Sequence, residues 1–211
     1  MPTLYDYELS AGCYAVRLML AILHEPYDTV PVDIFPGAAH LEPDFLELNP
    51  LGELPVLRDG DRVLRDAPTS LVHLAQSRDP GGPWLPAEAL AEITSWLLMA
   101  QRLAASAGEA RLIRAGIAQG ESAPLEAEAH RLLRVIDEHL WFGERDGRDW
   151  LVAGVAPTIA DIACFPDIAL CEEAGVMRQD YPAVRRWMDR VKRIPGFIGM
   201  SGVFPAGPAR D

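Results

Sequence analysis

Apolar and polar positions along this chain follow one rhythm in the first third and another beyond it. Thr3 to Tyr7 carries tyrosines on one face and reads as a strand. Ser10-Ala11-Gly12 makes a turn, after which Val16, Leu18, Leu20, Ile22 and Leu23 predict a helix from Cys13 to His24. Val30 and Val32 alternate within Tyr27 to Ile34, a second strand, and Phe45, Leu46 and Leu48 share one face of a short helix, Pro43 to Leu48. Two apolar triplets flank Asp59-Gly60, a hairpin signal because the turn needs residues that tolerate positive φ. Pro55 stands where the first of these strands opens, a place that tolerates a missing N–H. Asp66 then caps a helix that runs through Leu71, Val72, Leu74 and Ala75, with Pro68 in its first turn.

From there on the strand rhythm is gone. Asp79-Pro80-Gly81-Gly82-Pro83 has linker composition, and Pro86–Ala107, Ser122–Trp141, Thr158–Ala174 and Tyr181–Arg193 all show helical spacing. The expected organisation is an α/β domain over residues 1–78, a linker over 79–88 and an all-helical domain over 89–211. The order in the first domain is βαβ(α)ββα.

Composition narrows the function classes. With 49% hydrophobic and 24% charged residues the chain has the make-up of a soluble globular protein. A net charge of −12 argues against nucleic acid and anionic membranes as partners. Lys192 is the only lysine among 19 basic residues. Cys13, Cys164 and Cys171 are an odd number without metal-ligand spacing, so neither a disulfide framework nor a metal is expected. No leader peptide or membrane-length apolar run is recognisable, and a cytoplasmic location is the expectation.

The segment Asn49-Pro50-Leu51-Gly52-Glu53-Leu54-Pro55-Val56-Leu57 resembles the glutathione transferase family, whose pattern reads NP-x-G-x-[VIL]-P-x-L. Three further places are similar to that family: Leu64 to Ala75, Trp150 to Ala163, and Tyr181-Pro182 with Trp187 and Pro195-Gly196-Phe197. Together they span nearly the whole chain. The resemblance implies a thioredoxin-like domain followed by an all-α domain. It makes Pro55 a cis-proline and leaves the backbone of Leu54 free to pair with the cysteinyl part of glutathione. It implies a glutathione transferase that conjugates the thiolate to a hydrophobic electrophile, works as a homodimer and needs glutathione but no metal. A glutathione-dependent peroxidase, dehalogenase or isomerase would use the same apparatus. A non-catalytic binding module on this fold is the alternative from another class.

Such chemistry needs a group that stabilises a thiolate, and a hydroxyl at a helix N-terminus suits an anion. Ser10-Ala11-Gly12-Cys13-Tyr14-Ala15-Val16-Arg17 resembles the serine-type pattern S-G-N-[SC]-Y-K-V-R, which implies a catalytic role for Ser10. Read without the family, Ser10 is a helix cap. Cys13, Tyr5 and Tyr7 are the alternatives for thiol activation. The resemblance assigns Asp66 to the γ-glutamyl ammonium, Ala67 to the neighbouring carboxylate and His40 to the glycyl carboxylate. Ala67 stands where relatives carry serine, and Glu53 where they commonly carry lysine; both changes weaken the expected hold on an anionic ligand. Thr158 with Asp161 is a capping box and is assigned to folding. Trp96, Met99, Arg102 and Leu103 are the expected contributors to an electrophile pocket.

Overall fold

A computed structural model describes residues 1–204; residues 205–211 of the expected second domain lie outside them. Strand β1 (Thr3–Asp6) leads into helix α1 (Ala11–Ile22), and β2 (Asp28–Pro31) returns parallel to β1. The short helix α2 (Pro43–Leu48) precedes β3 (Val56–Asp59) and β4 (Arg62–Leu64), joined through Gly60 at φ +59°. The sheet runs β2-β1-β3-β4, with β3 antiparallel to both neighbours, and α3 (Ala67–Arg78) closes the domain. This is the thioredoxin-like arrangement expected. Most boundaries move little: α1 starts two residues before the expected Cys13, because Ser10 caps it.

Two cores explain the layering. Val32, Phe45 and Val56 bury α2 against one side of the sheet, with Tyr5 packed on them. Leu4 and Leu57 join α1 and α3 in the main core, which continues without a break into the helical domain. Helix α1 buries Cys13 to Val16, Leu18 to Leu20 and Ile22. A helix apolar around most of its circumference must be covered on several sides, and here α3 and α7 (Ile159–Ala169) pack against it. The interface between the domains is therefore interior.

In the second domain α4 (Leu90–Leu103) runs into a π-helical turn, Ala104–Gly108, and on into α5 (Glu109–Arg114). The expected end at Ala107 is corrected. Gly108 holds helical angles, φ −60° and ψ −50°, so the helix continues past it. Helix α6 (Ser122–Arg145) and α8 (Pro182–Val191) complete the bundle. Helix α7 is buried along its whole length and ends at Ala169, short of the expected Ala174.

The capping box forms as expected. Thr158 Oγ1 accepts from Ala160 N–H, and the Asp161 carboxylate accepts from Thr158 N–H at 2.9 Å. Asp161 also accepts from Leu151 N–H at 3.1 Å and from Trp187 Nε1–H at 2.8 Å. One fully buried carboxylate thus ties the start of α7 to α8 and to the loop before it. No helix among the described residues is long and apolar enough to cross a membrane.

Candidate active site

A cleft of about 570 Å³ opens between the α/β domain and the π turn of the helical domain. Its α/β wall gathers Tyr7, Ser10, His40, Glu53, Leu54, Pro55, Arg65, Asp66 and Ala67. Its helical wall is Ala100, Gln101, Ala104, Gly108, Glu109, Arg111, Leu112, Ala163 and Asp167. Residues far apart in sequence meet because antiparallel pairing sets the start of β3 beside the end of β1, Val56 opposite Tyr5, and α1 follows directly from β1.

Ser10 performs the local job its position predicts. Its Oγ accepts from Cys13 N–H at 3.2 Å, and its carbonyl accepts from Tyr14 N–H. The hydroxyl also lines the cleft, at the positive end of α1. Gly12, one position into that helix, allows the close approach to the opposite loop: a Cβ there would lie 3.0 Å from Pro55 Cδ.

The Leu54–Pro55 peptide is cis. Sheet pairing in β3 ends at Val56, opposite Tyr5, so Leu54 lies beyond the ladder. Neither its N–H nor its C=O makes a hydrogen bond among the described residues, and both stand at the cleft. A pair of unsatisfied backbone groups at a cleft is what an added extended peptide uses. Asn49 keeps this loop in shape. It is fully buried, its Nδ2 donates to Glu53 C=O at 2.8 Å, and its Oδ1 accepts from Leu51 N–H at 3.2 Å. The sequence showed Asn49 as part of a motif, but its buried amide emerges only with the folded loop.

At the start of α3 the Asp66 carboxylate accepts from Thr69 N–H at 2.7 Å. Ser70 N–H bonds the Asp66 carbonyl, and Pro68 has no N–H. Ala67 N–H remains without a protein acceptor among the described residues and lines the cleft. His40 sits on a single 3₁₀ turn, with its Nδ1 shielded from solvent and unpaired.

The alternatives for thiol activation separate. Cys13 is fully buried and does not line the cleft. Its Sγ accepts from Tyr7 N–H at 3.5 Å, and burial pushes its thiol up to about 12. The helix terminus that would favour a thiolate is outweighed by desolvation. Tyr5 faces α2, edge-on to Phe45 at 6.3 Å, away from the cleft. Tyr7 does line it.

The electrophile-side expectation needs correction. Trp96 and Leu103 are in the core, Trp96 stacking edge-on to His139 at 4.8 Å. Arg102 is exposed and pairs with Glu128 at 3.1 Å, and Met99 packs on the core. None of the four lines the cleft. Large apolar residues at helical spacing faced the bundle interior, and the cleft received the small side of α4 instead.

Sequence reasoning also passed over Arg65, Arg111 and Asp167. Arg65 Nε donates to Leu48 C=O at 2.9 Å. Arg111 bridges the domains, donating to Leu9 C=O at 2.8 Å and to Glu173 Oε2 at 2.5 Å. It holds the loop that carries Ser10. Asp167 lies in the last turn of α7, where an isolated acid among apolar residues was the available signal. Among the described residues no group of three or more His, Cys, Asp or Glu could hold a metal ion.

The fold and this cleft define a two-domain thioredoxin-fold protein that gathers unpaired backbone groups and a helix-capping serine at one cleft. Residues 4–83 match the N-terminal domain of glutathione S-transferase and residues 99–190 its C-terminal domain. The chain belongs to the glutathione S-transferase family. It is 32% identical to a maleylacetoacetate isomerase of Rhizobium meliloti (strain 1021) over 175 residues, 78% of this chain and 79% of that protein. It is 30% identical to glutathione S-transferase 3 of Zea mays, over 97% of this chain and 95% of that one. Among solved structures it is similar to a glutathione S-transferase of Xanthobacter autotrophicus Py2, with a TM-score of 0.81 and 30% identity, covering 97% of this chain and 98% of that one.

Proposed function

We propose that the chain is a serine-type glutathione transferase that conjugates the glutathione thiolate to an electrophile held in the same cleft. The observation that carries this is the meeting of three features in one cleft: the unpaired backbone of Leu54, the Ser10 hydroxyl at the start of α1, and the free Ala67 N–H at the start of α3. Leu54 pairs with the cysteinyl residue as a short added strand. That pairing carries the thiol toward Ser10, whose O–H donates to the thiolate while the α1 terminus stabilises its charge. The thiolate then attacks the electrophile, and the bond to sulfur forms as the leaving group departs or the acceptor bond opens.

Asp66 receives the γ-glutamyl ammonium with the carboxylate oxygen that does not cap α3. Ala67 N–H and the α3 dipole receive the γ-glutamyl carboxylate, and the His40 imidazole is the partner of the glycyl carboxylate. Arg65 adds positive charge at a cleft that Glu53 makes more negative. The similarity to maleylacetoacetate isomerase supports a second reading, a glutathione-dependent isomerase, since thiolate addition begins that reaction too. Against it stand Ala11 and Gly12, where the zeta-type class carries Ser-Cys. Following the family, the chain is proposed to pair as a two-fold homodimer, which sedimentation of the purified protein would test.

Calorimetric titration of glutathione into wild type and Ser10→Ala, in buffers of different ionisation enthalpy, tests the reading. Wild type is expected to bind and release protons as the thiol ionises; Ser10→Ala is expected to bind and release few. Proton release that survives in the variant would move the role to Tyr7. Absence of binding in wild type would leave the chain a binding module on this fold.

A further inference from the structure

The helical wall of the cleft holds two acids that the glutathione scheme leaves idle, Glu109 and Asp167, and of these Asp167 is the buried one. Asp167 is 8% exposed, lines the cleft, and makes no hydrogen bond or ion pair from its carboxylate among the described residues. A largely buried carboxylate that has no protein partner among the described residues and stands at a cleft is free to accept from a ligand there. The nearest cation does not serve it. Arg111 spends its guanidinium on Leu9 C=O and the Glu173 carboxylate, and reaches Asp167 only through its field.

The chain makes room for this acid. Gly108 closes the π turn above it, and a Cβ at Gly108 would lie 2.8 Å from Asp167 Oδ1. Ala104 and Ala163 on the same wall are small and apolar, while Gln101, Glu109 and Arg111 also line it.

We propose that Asp167 is the acceptor of the electrophile half of the cleft, and that it selects co-substrates bearing a hydrogen-bond donor, a protonated amine above all. The proposal rests on the glutathione reading and names the substrate class of that site. A carboxylate accepts through both oxygens and donates nothing, so it favours N–H and O–H groups over carbonyl, ether or purely hydrocarbon ones. A fully apolar electrophile would leave it unpaired when water is expelled, whereas an ammonium would satisfy and neutralise it.

The test uses two conjugates of nearly equal shape, S-(4-ethylbenzyl)glutathione and S-(4-(aminomethyl)benzyl)glutathione, titrated calorimetrically beside glutathione itself. Wild type is expected to bind the ammonium conjugate about tenfold or more tighter than the ethyl one, as a charge-assisted hydrogen bond predicts. In Asp167→Asn the gap should fall to about twofold, with glutathione affinity unchanged. Gly108→Ala should also narrow the gap, because its added methyl group crowds the carboxylate. It keeps the proposal testable if the Asn variant folds poorly. Glutathione bound normally with no discrimination between conjugates overturns the assignment of Asp167 alone. A gap that persists in both variants overturns it in favour of Glu109, the other acid on that wall. If neither glutathione nor either conjugate binds, the glutathione reading falls and takes the proposal with it.

Discussion

Replacing Asp167 by Asn should stabilise the protein, and the size of the effect follows from the acid's surroundings. Burial lifts its carboxyl from an ordinary 3.8 to about 6, against the opposing pull of Arg111. Each tenfold in protonation equilibrium corresponds to ~1.4 kcal/mol, so ionising this group in the fold costs about 3 kcal/mol relative to the unfolded chain. The folded acid keeps its proton to higher pH than the unfolded one. The penalty is therefore absent below the unfolded value, grows as pH rises between the two values, and is complete above about 6. An Asn amide is close to the neutral acid in size and polarity, so it should recover about 2 kcal/mol at pH 7.5. For a chain of this length that is a rise in Tm of about 4–8 °C. Scanning calorimetry of wild type and Asp167→Asn at pH 7.5 and pH 4 reads this directly. The two should differ at the higher pH and converge at the lower. A variant less stable than wild type at pH 7.5, or a difference independent of pH, would refute an unpaired and ionised Asp167.

Other predictions concern the thiols, the anion site and the domain core. Cys13, Cys164 and Cys171 are all buried, with thiols raised well above the ordinary cysteine range. A disulfide reagent at pH 8 should label none of them in minutes and all of them after denaturation; rapid labelling of Cys13 would reopen it as the nucleophile. Ala67→Ser adds a hydroxyl beside the free N–H at the start of α3 and should tighten glutathione by about tenfold in calorimetry. Asp161→Ala strands Trp187 Nε1–H, Leu151 N–H and Thr158 N–H in the interior. It should lower unfolding stability by about 3 kcal/mol or more, read as a lower urea midpoint.

Most of the architecture was legible in the sequence because it rests on short-range rules. The Asp59-Gly60 turn, the Asp66 cap and the Thr158–Asp161 box each depend on residues close in sequence, whereas the Val30–Val32 alternation overstated β2, which is Asp28–Pro31 and exposed throughout. On the α/β side of the cleft, Ser10, Asp66 and Ala67 sit where helices start and Leu54 and Pro55 just before a strand starts, and the antiparallel β1–β3 pairing sets the Leu54–Pro55 loop beside the end of β1.

The helical side followed another logic. A Trp, Met or Leu at helical spacing is drawn to whichever face is covered, and α4 covers that face with the bundle, so Trp96 and Leu103 went inward. Which residues border the cleft depended on the rotation of α4 and on the extra residue in its π turn, neither fixed by local spacing. The helical spacing was expected to end at Ala107, yet Gly108 holds helical angles and lies close to Asp167. The sequence by itself determined the elements, their caps and the motif that names the family. Only the tertiary structure decided that Cys13 is shielded, that Arg111 ties the second domain to the Ser10 loop, and that Asp167 has no partner among the described residues. Those outcomes turn on desolvation and on distances between segments up to 102 residues apart, which no local pattern encodes.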